Sequence, residues 1–212
     1  MAFTDASLEA LANLRNIDNI QWYVVPLILG IYLLYNNEII KENWEAIFMG
    51  IIWFCLAGVV LEIINGLVLT ATQYSALWTT TSKSAFVIYV GWNIEILFLA
   101  AVMGLMNAMG LPENGKQKVM GIPVLLFYPL IWTSIAVFIE VMLNFAGILV
   151  WEYWFWSWPN IYFIFLWWLI PNILFVWAHY RFSLKTKKYI AIASVIYALS
   201  FHVIFAIILK WV

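Results

Sequence analysis

Charge is scarce in this chain. Only 10% of its 212 residues are Asp, Glu, Lys or Arg, against 66% hydrophobic, whereas soluble domains carry about 25% charged residues. That balance excludes an ordinary soluble domain. The ten basic residues offset eleven acidic ones and form no stripe, which excludes a surface that tracks a nucleic-acid backbone. Cysteine is rarer still. Cys55 alone, inside an apolar run, permits neither an intrachain disulfide nor a cysteine-based metal site. The two histidines, His179 and His202, fall at depths too different for one haem to bridge, so no metal and no cofactor is expected. Phosphate-binding loops, zinc-protease motifs, nucleophile elbows and dinucleotide-binding glycine runs are missing from the sequence, which removes the common soluble-enzyme chemistries.

What is abundant is long apolar sequence. A membrane-spanning helix needs roughly 20 mainly apolar residues, and six stretches qualify, at about 20–36, 46–70, 85–109, 120–150, 161–180 and 189–211. The fold class expected is an all-α, polytopic integral membrane protein with six spans, residues 1–212 forming one transmembrane domain. Residues 1–19 show no apolar core followed by a cleavage site, so no removable signal peptide is expected. Leu8, Leu11 and Leu14 recur behind the capping residues Thr4 and Asp5 and predict a short amphipathic helix lying on the membrane surface.

Basic residues set the orientation, because Lys and Arg accumulate on the cytoplasmic side. Lys41, Lys116, Lys118, Arg181, Lys185, Lys187 and Lys188 fall on one side, against Arg15, Lys83 and Lys210 on the other. Both termini are therefore expected outside the cytoplasm, with the Trp-rich segment 151–160 opposite the loop 181–188. Its aromatic residues read as an interfacial belt or as a lid over a hydrophobic substrate.

A parallel repeat is also expected. Leu61-Glu62-Ile63 matches Ile139-Glu140-Val141, and Ile96-Leu97-Phe98 matches Ile173-Leu174-Phe175 at nearly the same separation. Spans two and three would then repeat as spans four and five, with Glu95 opposite Asn172.

Three acids, Glu62, Glu95 and Glu140, fall inside the spans. Intramembrane acids are costly, face the protein interior and usually serve a function. Counting about 1.5 Å per residue puts all three at one level, with no Lys or Arg beside them, so they are expected to hold their protons and to share one cavity. They are the candidate catalytic acids and bases. Asn65, Trp92, Asn93, Asn144, Trp151, Trp168 and Asn172, at similar depths or in the aromatic loop, are the candidate substrate contacts. Pro171 frees a backbone carbonyl beside Asn172. Interhelical hydrogen bonding is the plainer role for the same polar residues.

Glu140, Asn144, Gly147, Trp151, Tyr153 and Pro159, followed by the apolar span to Pro171, resemble the membrane-embedded carotenoid cyclase and hydratase families. In those families an intramembrane acid, a Gly and a Trp-x-aromatic loop recur between hydrophobic helices. The lycopene cyclases among them place paired acids after the Pro, where this chain has Asn172. The resemblance implies acid-catalysed cyclisation or hydration of an isoprenoid- or carotenoid-like substrate. Composition and acid placement alone also fit a proton- or cation-coupled carrier, or a non-catalytic lipid-binding subunit of a membrane complex. The partners expected are membrane lipid or a hydrophobic small molecule, together with a homo-oligomer or a membrane-complex subunit, and no nucleic acid.

Overall fold

The computed structural model describes residues 2–81 and 86–211. Lys83, counted above among the outer basic residues, lies outside the described residues, as do Ser84 and Ala85. Seven helices make up the described chain. They are α1 (Asp5–Asn13), α2 (Val24–Ile40), α3 (Trp44–Thr72), α4 (Ile94–Gly110), α5 (Val124–Phe145), α6 (Tyr162–Arg181) and α7 (Leu184–Ile208). Four of them, α3, α5, α6 and α7, are long and apolar enough to cross a membrane, while α2 and α4 are shorter apolar helices of 17 residues.

The central helix is α3. It packs against α2, α4 and α7, and α5 pairs with α6 beside this group. Gly104 of α4 permits the closest approach, since a side chain there would meet Trp53 of α3 at 2.6 Å. Two helices change pitch. Phe54–Val60 in α3 and His202–Ile208 in α7 are π-helical, a conformation found mostly as short bulges within α-helices and frequent at functional sites.

Short antiparallel pairs shape the helix ends. Strands β1 (Thr79–Thr80) and β6 (Leu149–Val150) pair with each other and join the loop after α3 to the turn after α5. Between them in the chain, β2 (Val87–Tyr89) pairs with β3 (Trp92–Asn93), and β4 (Lys118–Val119) pairs with β5 (Ile122–Pro123). These hairpins correct two expected boundaries. The stretch expected as a helix over 85–109 begins only at Ile94, because Asn93 caps it by accepting from the Ile96 backbone N–H at 2.9 Å. The stretch over 120–150 is helical only over 124–145, with Pro123 at its start and the turn into β6 at its end.

The N-terminal helix forms where Thr4 and Asp5 predict it, with the Thr4 hydroxyl accepting from the Ser7 N–H at 3.3 Å. Its small residues Ser7 and Ala10 are buried, and Leu8 and Leu11 point outward. Thr4 N–H bonds the Tyr74 carbonyl at 3.1 Å, Arg15 N–H bonds the Val87 carbonyl at 2.8 Å, and the Thr70 hydroxyl bonds the Trp211 carbonyl. The first and last described residues thus lie at the end of the bundle that carries the Trp-rich segment. At the other end, Lys187 at the start of α7 is ion-paired with Glu45 at the start of α3, and the Tyr180 hydroxyl donates to the Pro112 carbonyl at 2.6 Å.

Candidate functional site

Between the α3–α4 and α5–α6 hairpins lies a cavity of about 80 Å³, lined by Glu62, Trp78, Trp92, Glu140, Trp167 and Trp168 among aliphatic side chains. At roughly 10–15 Å³ of such volume per water, it has room for a few waters or for the end of a hydrocarbon chain.

Both acids are held in the same way. The Trp78 indole N–H donates to Glu62 Oε1 at 2.7 Å, and the Trp168 indole N–H donates to Glu140 Oε1 at 2.7 Å. The second oxygen of each carboxyl, Oε2, is buried without a hydrogen-bond partner among the described residues. A buried polar atom left without a partner costs about 1–3 kcal/mol, and such atoms in a native fold often mark a ligand or a catalytic role.

Local sequence explains how the two indoles arrive. Asn65 lies about one turn along α3 from Glu62. Its Oδ1 accepts from the backbone N–H groups of Leu77 and Trp78 at 2.8 and 3.3 Å, and its Nδ2 donates to the Trp78 carbonyl at 2.7 Å. The loop is thereby pinned against the helix with Trp78 over Glu62. Gly91 completes the fit, since a side chain there would meet the Trp78 ring at 2.6 Å. Trp78 stacks on Trp156 and meets the edge of Trp167, while Trp168 stacks on Trp53.

The structure brings together some of the residues singled out in the sequence and separates others. Glu62, Glu140, Trp92 and Trp168 line the cavity. Glu95 does not. It stands in the first turn of α4, where its Oε1 accepts from the Tyr23 hydroxyl at 2.5 Å, because the hairpin before α4 occupies the length that had been counted as helix. Glu95 and Asn172 therefore hold unlike positions, one at a helix start and one in mid-helix. Asn93 is a helix cap, with its Nδ2 buried and without a partner among the described residues. Asn144 donates to the Leu149 carbonyl at 2.9 Å and shapes the turn after α5. Asn172 donates to Thr133 Oγ1 at 3.2 Å and to the Trp168 carbonyl at 2.9 Å, and accepts from Asn107 at 3.3 Å, so it ties α4, α5 and α6 together. Trp151 is buried in the aromatic cluster with Trp78 and Trp156. Trp78 is the site residue that the sequence reading missed. It lies in a polar loop with no helical periodicity, and only its contact with Asn65 places it.

Among the described residues no group of three or more His, Cys, Asp or Glu could hold a metal ion. A helical membrane protein with a buried pair of acids is the class that fold and site define. Residues 4–210 match a family described as an uncharacterized membrane protein family, and the chain belongs to that family. It is similar to an uncharacterized protein of Archaeoglobus fulgidus, 36% identical over 216 aligned positions that cover 99% of each chain. No solved structure matches it.

Proposed function

We propose that this protein is a membrane-embedded enzyme that transfers protons between Glu62 and Glu140 and an unsaturated isoprenoid- or carotenoid-like substrate. The observation that carries this reading is the pair of carboxyls on one cavity walled by tryptophans, each held at one oxygen by an indole N–H and left at the other, buried oxygen without a partner among the described residues. Among the described residues no Lys or Arg lines that cavity, so no basic side chain in its wall pairs with either acid.

The chemistry follows. One carboxylic acid gives its proton to an alkene carbon, whose π electrons form the new C–H bond. The tertiary cation left on the neighbouring carbon is stabilised by the tryptophan rings. In a hydration, water adds to the cation and its surplus proton goes to the carboxylate. In a cyclisation, a second alkene attacks the cation and a ring proton is lost to the carboxylate. Either way the acid is regenerated. General acid–base catalysis of this kind contributes about 10²–10⁴-fold.

The reading includes six spans. The 17-residue helices α2 and α4 meet the lower limit of about 17 residues for a crossing, and the uneven basic residues put both termini outside the cytoplasm. The two hairpins, each offering one acid, form a parallel repeat whose equivalence lies in Glu62 and Glu140. The same arrangement supports a second reading as a proton-coupled carrier in which the hairpins rock about the acids.

The test is a lipid-extract assay on cells expressing the wild type, Glu62→Gln and Glu140→Gln. Cyclised or hydrated isoprenoid that disappears in either variant supports the enzyme. Unchanged product in both overturns it, and proton-driven uptake into proteoliposomes without product selects the carrier.

A further inference from the structure

The acid cavity does not end at its own walls. Ala57 and Leu61 of α3 also line a second, larger cavity of about 350 Å³. On α3 the second cavity follows Met49, Ile52, Trp53, Leu56 and Ala57, the spacing of one helix face. The π-helical stretch Phe54–Val60 carries that face onto the level of Glu62. On α6 the wall runs from Trp167 and Trp168 at the acids through Pro171 and Leu174 to Ala178. Two continuous stripes therefore lead from the acids to the basic end of the bundle, and from Glu62 to Met49 the helix covers about 20 Å at about 1.5 Å per residue.

At that end a single charged side chain enters the lining. Lys187 is 2% exposed and paired with Glu45, and Arg181, Lys185 and Lys188 are its neighbours in sequence. An ammonium has three N–H donors, so the bond to Glu45 leaves capacity for a phosphate oxygen. The segment 181–188 carries four basic residues against the one Glu45 paired with Lys187, and basic pockets between membrane helices are suited to lipid phosphates.

Resting on the acid-catalysed reading above, we propose that this groove holds the rest of the same substrate, a linear isoprenoid of about four five-carbon units, with its unsaturated end at Glu62 and Glu140 and a phosphate head at Lys187. The small acid cavity then needs to admit only the terminal unit. The groove selects chain length, and the head group fixes which double bond meets the acids.

The test uses geranylgeranyl phosphate carrying a photoreactive diazirine on its terminal unit, added to the purified full-length protein in lipid nanodiscs. The label is expected on residues of the acid cavity, with Trp78, Leu143 and Trp167 as the nearest walls. Unlabelled geranylgeranyl phosphate is expected to compete at least tenfold better than geranylgeraniol, which lacks the phosphate, and Lys187→Met is expected to abolish that preference. Ala178→Trp and Leu174→Trp each fill the groove from the α6 side and are expected to remove the cavity label while the thermal transition is retained. Labelling spread over the lipid-facing surface, or cavity labelling unchanged in both Trp variants, overturns the proposal. The two readings fail separately. Cavity labelling without any cyclised or hydrated product refutes the acid chemistry and leaves the groove standing. Product that is formed equally well with both Trp variants refutes the groove and leaves the acid chemistry standing.

Discussion

Glu62 and Glu140 have matching surroundings built from unlike parts. Each accepts one indole N–H at 2.7 Å and keeps one buried oxygen unpaired among the described residues. Yet the indole of Glu62 comes from the loop after α3, pinned by Asn65, while the indole of Glu140 comes from within the neighbouring helix α6. The likeness of the two acid sites is thus one of side-chain chemistry, reached from a loop in one hairpin and from a helix in the other. Two carboxyls given the same kind of donor at the same distance are suited to alternate as acid and base.

The strongest way to break this equivalence is to remove the protons one at a time. Glutamine preserves the shape of a neutral Glu and still accepts the indole hydrogen bond, so Glu62→Gln and Glu140→Gln should express and unfold like the wild type. Loss of proton transfer should cost about 10²–10⁴-fold in turnover for each, measured as isoprenoid product per protein. A large loss in one variant and none in the other would show that a single acid does the chemistry.

The indoles come next. Trp78→Phe and Trp168→Phe each remove the donor while keeping a ring in place, and each should lower stability by about 1 kcal/mol, within the range of interhelical hydrogen bonds in membranes. Thermal unfolding in detergent measures that cost. A positioning role has its own signature, a shift of the protonated-carboxyl infrared band of the adjacent Glu, which ring packing alone would not produce. Asn65→Leu should shift the Glu62 band as Trp78→Phe does and leave the Glu140 band in place, because Asn65 stands beside Glu62 and pins the Trp78 loop over it.

The sequence made the helices legible wherever apolar runs were uninterrupted, as in α3, α6 and α7. It misled where an apolar run contained a turn. Residues 87–93 are apolar enough to read as helix, but Gly91 and the cap Asn93 divide them into a hairpin, and the capping chemistry of Asn93 was the available signal. That shift puts Glu95 in the first turn of α4 instead of in mid-helix. Glu62 and Glu140 were legible because a charge within an apolar span has few explanations. Trp78 was not, because its position depends on hydrogen bonds from Asn65 to a loop backbone, and no periodicity encodes these.

The mildest test concerns what holds the two hairpins in register around the cavity. On one side of the acids the link is buried, where Asn107, Asn172 and Thr133 join α4, α5 and α6. On the other it is part-buried, where the Tyr153 hydroxyl donates to the Ser75 carbonyl at 2.8 Å beside the β1–β6 pair. The Ser75 carbonyl keeps a second donor, the Thr72 hydroxyl at 3.3 Å, so Tyr153→Phe should cost no more than about 0.5–1 kcal/mol, the net value of an ordinary hydrogen bond. Asn107→Leu strips a donor from Asn172 where water does not reach, so it should cost more, roughly 1–2 kcal/mol. Unfolding midpoints of the two variants in the same detergent give the comparison. If Tyr153→Phe is the more damaging, the loop contacts beside the β1–β6 pair and not the buried asparagines hold the hairpins around the acids.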